Sequence, residues 1–173
     1  MVARYFAYGS NMNPERVRSR GLAFVHASPA SLDGFVLTFD KTSAAHEGSG
    51  HANIAYAPGG RVEGVLYWLS ATDEIRRMDR FESAPVNYSR EIVRVRVLHD
   101  HLPPLEVTDA IAAGSTGEGE VMIPTWTYVA NPAVRRAGLL PPRSYLEHLL
   151  AGRPFLSGSY VDMLEAWPCE EDR

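Results

Sequence analysis

Two places in this sequence combine residue type and spacing in a way that could do chemistry: a glutamate on the apolar side of a short helix, and a glycine-broken turn near the N-terminus. A helix is expected from about residue 71 to 82 or 83, with Ser70 as N-cap, Asp73 as a capping-box-like partner, and Pro85 disfavouring helical geometry at Ala84. At about 100° per residue, Ile75 and Met78 define its buried side and Glu82 projects between them. Asp79 falls at the edge of that side, while Arg76, Arg77 and Arg80 point elsewhere. A carboxylate buried without a partner is costly, so Glu82 needs a raised pKa, a hydrogen-bond partner, or both. Such a group is tuned for acid–base work near neutral pH. Periodicity gives equal weight to a second reading, in which the helix frays before Glu82 and the side chain extends into solvent.

The turn is Gly9-Ser10-Asn11, inside the stretch Y-F-A-Y-G-S-N-M of residues 5–12. Val2, Tyr5, Phe6 and Tyr8 read as a strand, Asn13 as a helix N-cap and Pro14 as a first helical residue. Gly21 would end that helix. Strand end, turn and helix start bring several backbone N–H groups to one point, which can hold a carboxylate or the oxygen of a polarised carbonyl. Taken alone, the G-S-N triplet is read as a tight turn that needs glycine. Ser10 lacks the G-x-S-x-G context of a nucleophile elbow.

The elements that must position these residues follow in order. Residues 22–27 and 35–40 read as two strands around a Pro29-containing turn, and 53–57 and 61–69 as a hairpin about Pro58-Gly59-Gly60. The second arm of that hairpin is apolar on both faces, hence central. Residues 88–98 alternate clearly as a strand, with a row of arginines on one side read as a solvated face. Residues 121–130 form another strand, and helices are expected at 142–150 and 159–167. Between the last two strands, residues 99–124 form a Pro-, Gly- and Ser-containing excursion with a possible short strand at 105–107. This excursion is expected to be more mobile than the sheet, and to shape one end of the pocket because its flanking strands carry Tyr88 and Tyr128. His46 with His51, and His99 with His101, each lack a third ligand, so no metal site is expected.

The 173 residues are expected to form a single domain, 1–173, with the hydrophobic and charged fractions of a globular protein. A net charge of −4 argues against nucleic acid and a basic membrane patch, and no apolar run reaches membrane-spanning length. The single cysteine, Cys169, is read as lying in a polar tail and excludes an intrachain disulfide, which points to the cytoplasm. Arginine outnumbers lysine sixteen to one, which genome composition explains more readily than function does.

The stretch Phe6-Ala7-Tyr8-Gly9-Ser10-Asn11-Met12 resembles the Y-G-S-N signature of the γ-glutamylcyclotransferase family, which includes the AIG2-like proteins. Residues 53–55, 62–67, 78–85 and 88–90 resemble its later blocks, and Tyr128 with residues 145–150 its C-terminal part. The resemblance implies an α+β fold, a small mixed barrel-like sheet surrounded by helices. It also implies release of 5-oxoproline from γ-glutamyl compounds, chemistry linked to glutathione metabolism, with no metal and no organic cofactor. The family's catalytic glutamate maps onto Glu82 and its substrate loop onto Tyr8, Gly9, Ser10 and Asn11, with Tyr88 and Tyr128 as further pocket residues. Ser83 stands where the family usually has glycine, and the glutathione-specific branch has leucine where Asn11 stands, so that branch is not assigned.

In a γ-glutamyl amide the substrate's own α-amine can attack its γ-carbonyl, so no protein nucleophile is needed. One carboxylate can take a proton from the ammonium and hand it to the leaving amine. The expected partner is a small γ-glutamyl molecule, with an amino acid, a polyamine or a specialised γ-glutamylated intermediate all open as the leaving part. A non-enzymatic metabolite-binding module of the same fold is the rival reading. The chain is expected to be a monomer or homodimer.

Overall fold

The structure, a computed structural model, describes residues 3–43, 48–104, 106 and 119–172. Five strands close into a barrel: β1 (Arg4–Ala7), β2 (Phe24–Thr42), β3 (Gly50–Leu69), β4 (Tyr88–Leu98) and β5 (Glu120–Ala130), in the order β1-β3-β2-β4-β5. All neighbours are antiparallel except β1 and β5, which meet in parallel at Tyr5↔Trp126. That single parallel contact makes the sheet mixed, and a Thr127 hydroxyl donating to the Phe6 carbonyl at 2.9 Å reinforces it. β3 is central, between β1 and β2, and its run Val65–Leu69 is buried throughout, as a strand apolar on both faces demands.

Two expectations about the sheet are corrected. Residues 22–27 and 35–40 belong to one long strand, β2, in which Pro29 lies opposite Val65 instead of in a turn. Among the described residues β2 meets β4 only at Ser31↔Arg96, so a proline without an N–H interrupts little on that side. Likewise residues 53–57 and 61–69 do not pair with each other: both are parts of β3 and pair with successive halves of β2. The register jumps from Asp33↔Arg61 to Phe35↔Tyr56, with Gly34 and Gly59 both at φ +80° across the jump. Glycine at each side of the ribbon lets both strands bend together, where a turn would fold one back on itself.

Among the described residues four helices pack on the barrel: α1 (Pro14–Ser19), α2 (Glu74–Phe81), α3 (Arg143–Leu150) and α4 (Gly158–Glu165). α1 starts as the sequence predicts, with the Asn13 side chain accepting from the N–H groups of Glu15 and Arg16 and with Pro14 at its first position. α2 is shorter than expected. Ser70 does not cap it; Asp73 is the N-cap residue, without a capping hydrogen bond from its side chain, and residues 70–73 form the approach. α3 packs its buried Leu146 and Leu149 toward the 3₁₀ turn Ser10–Met12, where Met12 is fully buried. No helix among the described residues is long and apolar enough to cross a membrane.

Cys169 is not part of a polar tail but is fully buried against the core. His51 is in β3, its ring stacked on that of Tyr145 at 4.7 Å, while His46 lies outside the described residues. Half of the 99–124 excursion, residues 105 and 107–118, also lies outside them. Its base is described, as Leu98↔Glu120. Tyr88 pairs with Ala130 at the opposite end of the same ladder, about 30 Å away along an extended strand. Sharing strands with Tyr88 and Tyr128 therefore does not bring the base of the excursion near them.

Candidate active site

The chain turns sharply where β1 ends. Tyr8 follows the strand and donates its hydroxyl to the Tyr128 carbonyl, tying the end of β1 to β5. Gly9 comes next at φ −115°, so its backbone does not require glycine; its surroundings do. A Cβ there would lie 3.1 Å from the Ala52 Cβ and 3.4 Å from the Tyr145 hydroxyl. The 3₁₀ turn Ser10–Met12 then points Asn11 inward, 3% exposed.

Asn11 is the hub. Its Nδ2 donates to the Tyr5 hydroxyl at 2.9 Å and to Glu82 Oε1 at 3.0 Å, and its Oδ1 accepts from Arg20 Nη1 at 2.8 Å. Its carbonyl accepts from the Tyr67 hydroxyl at 2.8 Å, so both ends of the residue are fixed. Glu82 is the C-cap residue of α2, and its N–H donates to the Met78 carbonyl at 3.0 Å. The helix therefore does not fray before it, and the solvent-extended reading is excluded: the side chain keeps 16% exposure and turns to the cavity. Ser83 leaves the helix at φ +51°, the left-handed region that glycine adopts most readily at this position. Burial raises the Glu82 pKa above the usual carboxylate value, opposed by Arg20, the Asn11 hydrogen bond, Lys41 and Arg16.

Glu82, Tyr8, Gly9, Ser10, Asn11, Tyr88 and Tyr128, drawn from four separate stretches of sequence, line one cavity. A model of the family described as Gamma-glutamyl cyclotransferase, AIG2-like matches residues 5–147, a span that includes every one of these residues. The chain belongs to that family. A gamma-glutamylcyclotransferase of Bos taurus is 39% identical over 82 residues, which cover 45% of this chain and 43% of that protein, so the match spans less than half of the curated relative. A solved structure of a gamma-glutamyl cyclotransferase superposes with a TM-score of 0.72 at 22% identity, covering 99% of this chain and 90% of that one. A yeast γ-glutamyl cyclotransferase specific to glutathione gives 0.62 at 14% identity, covering 94% and 93%. These two likenesses establish the γ-glutamyl cyclotransferase fold.

Within the family site the tyrosines divide by what their hydroxyls do. Tyr88 donates to the Ala52 carbonyl at 2.9 Å, and the Tyr145 hydroxyl accepts from the Ala52 N–H at 3.1 Å. Tyr128 donates to Asp79 Oδ1 at 2.8 Å, while Asp79 also pairs with Arg90 at 2.9 Å, so the Tyr128 hydroxyl braces β5 against α2. Burial pushes the Tyr145 hydroxyl up to about 12, and those of Tyr5, Tyr8 and Tyr88 well above the usual tyrosine value. All four are therefore neutral hydrogen-bonding groups across the physiological range, and Glu82 is the one carboxyl group among the described residues that line the cavity.

Tyr5, Ala52 and Tyr145 also line the cavity, and sequence reasoning did not single them out. Tyr145 reads from periodicity as one more apolar residue of a helix; only the packing of α3 on the turn brings it to Gly9. Arg16, Arg20 and Lys41 gather at the mouth, and sequence reasoning singled out none of them. No group of three or more metal-ligating side chains occurs among the described residues.

Proposed function

We propose that the protein cyclises the γ-glutamyl group of small γ-glutamyl amines or amino acids, releasing 5-oxoproline and the free amine. The observation that carries this reading is Glu82, a buried carboxyl of raised pKa held by Asn11 inside the cavity that the Y-G-S-N turn lines. In the proposed reaction Glu82 takes a proton from the substrate's α-ammonium. The freed amine attacks the γ-carbonyl, a C–N bond closes the five-membered ring, and the original amide C–N bond breaks. Glu82 then returns that proton to the departing nitrogen, and the second proton, shed by the ring nitrogen as it becomes the lactam N–H, leaves on the released amine as its ammonium, so the enzyme ends as it began. A pKa raised toward neutrality suits both halves of this shuttle. The backbone N–H groups of Gly9 and Ser10 would face the negative charge of the γ-oxygen or of the substrate carboxylate. Enclosure by the tyrosines would hold the glutamyl chain curled for ring closure, where orientation supplies much of the rate. The reaction calls on no metal, organic cofactor or protein nucleophile. We place it in the cytoplasm, as a monomer or homodimer.

Incubation with a panel of γ-glutamyl compounds and detection of 5-oxoproline tests the reading. Release by the wild type and not by Glu82→Gln is the expected result. Tight binding of γ-glutamyl compounds with no 5-oxoproline from any of them would make the protein a binding module of the same fold.

A further inference from the structure

A second cavity opens directly outside the first. The two share Ser10, Glu82, Tyr88 and Tyr145, so Glu82 stands at their junction and the outer one is the mouth of the inner. The mouth is lined by three cations, Arg16, Arg20 and Lys41, against one carboxylate, Glu82. This is unusual in a chain of net charge −4. Arg20 is already committed, with Asn11 Oδ1 at 2.8 Å and Glu82 Oε1 at 3.6 Å.

The other two are not. Among the described residues Arg16 meets His148 Nε2 at 3.2 Å and has no carboxylate within ion-pair distance, and its Nε is buried without a hydrogen-bond partner. Lys41 is 6% exposed, with its Nζ 5.6 Å from the centre of the Tyr88 ring; it too has no carboxylate within ion-pair distance among the described residues. Elsewhere in the protein the partly buried arginines Arg4 and Arg90 do have acidic partners. The Glu82 charge reaches both without an ion pair to either; holding a cation out of water with no closer partner is costly, and burial lowers the Lys41 pKa accordingly. Two such cations beside the reacting carboxyl are explained if a negative group of the substrate completes them.

The direction of the substrate says which group that is. With the glutamyl part curled in the inner cavity and Glu82 serving the scissile nitrogen, the departing amine extends into the mouth. We infer that Arg16 and Lys41 form an anion seat for the leaving part of the substrate, so that the protein acts on γ-glutamyl compounds whose departing amine carries a carboxylate and discriminates against cationic amines such as polyamines. The inference rests on the proposed cyclisation for its orientation. It goes beyond that reading by assigning two residues to substrate selection and by closing the choice of leaving group.

Three probes with the same glutamyl end test it: γ-glutamyl-alanine with a carboxylate on the leaving part, γ-glutamyl-ethylamide with none, and γ-glutamyl-putrescine with an ammonium. For the wild type, kcat/KM should fall in that order, with about a ten- to hundredfold advantage of the alanine compound over the ethylamide, the range of hydrogen bonds to charged groups. The advantage should reside in KM. In Lys41→Met and in Arg16→Gln, made separately so that a folding failure of one leaves the other, the ratio should collapse to within about threefold. Arg16→Lys, which keeps the charge, should retain most of it. A wild type with no preference, or variants in which both compounds decline together and the ratio survives, overturns the seat; the latter result would assign these cations to the glutamyl carboxylate. Calorimetric binding of the same three compounds reads the seat without turnover. A protein that prefers the carboxylate compound in binding but makes no 5-oxoproline would retain the seat and sink the cyclisation.

Discussion

Asn11 and Glu82 are joined by a 3.0 Å hydrogen bond from Nδ2 to Oε1, between residues 71 positions apart in the chain. The bond couples the signature turn to the proposed acid–base group. Because Asn11 also holds Arg20 through Oδ1, one amide sets both the orientation of the carboxylate and the distance of its nearest counter-charge. Asn11 is thus a positioning residue for Glu82 as well as part of the cavity wall.

Replacing Glu82 by Gln keeps the shape and the hydrogen bond to Asn11 while removing the proton carrier. Release of 5-oxoproline should fall at least 10²- to 10⁴-fold, the contribution usual for general acid–base groups. Calorimetric binding of γ-glutamyl compounds should persist. Activity within a few-fold of the wild type would remove Glu82 from the mechanism.

The Asn11 hydrogen bond lowers the Glu82 pKa against the larger upward push of burial. Asn11→Ala should therefore move the acidic limb of the kcat/KM profile to higher pH, because the carboxyl then ionises later. It should also reduce the plateau, since the carboxylate loses its orientation. An acidic limb that stays in place, or moves to lower pH, would show that Asn11 does not tune Glu82.

The same shift bears on stability. The folded-state pKa of Glu82 lies above its unfolded value, so the folded protein binds the proton more tightly. Its contribution is fully present below the unfolded pKa and is lost as pH rises through the folded one. Glu82→Gln should accordingly be more stable than the wild type at neutral pH, and the difference should shrink as the pH falls below about 4.3, the usual glutamate value. Denaturant melts at both pH values measure this, and a variant less stable than the wild type at pH 7 contradicts it.

Ser83 holds a backbone conformation that favours glycine, φ +51°, right after Glu82. Ser83→Gly removes a strain of about 1–2 kcal/mol, partly offset by the greater freedom of glycine in the unfolded chain. A net gain of up to about 1 kcal/mol is expected, raising Tm by about 2–4 °C at this chain length. A lower Tm would mean that the serine side chain makes a stabilising contact.

The sequence was most legible where the physics is local. Asn13-Pro14 begins α1, Tyr88–Leu98 forms β4 over the expected residues, and the projection of Glu82 between Ile75 and Met78 places it on the inward side. It was least legible where a local signal has two outcomes. Pro58-Gly59-Gly60 has the composition of a hairpin turn, and only the matching bend at Gly34 on the neighbouring strand makes it a kink in a continuous ribbon. Tyr145, Arg16 and Lys41 escaped because no periodicity relates them to residue 82. They reach the cavity and its mouth through the packing of α3, the placement of α1 and the end of β2, which are tertiary facts.

The barrel seam has a consequence for the order in which the molecule assembles. β2 and β3 are neighbours in sequence and pair along nearly their whole length, so their ribbon closes a short loop. The seam between β1 and β5 instead joins residues such as Phe6 and Thr127, 121 positions apart, and carries the greater loop-closure entropy. Tyr8 and Tyr128 lie on opposite sides of that seam, bonded hydroxyl to carbonyl, and both face the cavity. A chain with its ribbon formed and its seam open would keep most of its secondary structure and lack the site. Turnover therefore gauges the seam itself, and an activity loss that precedes the loss of far-ultraviolet circular dichroism on heating would locate the first opening there.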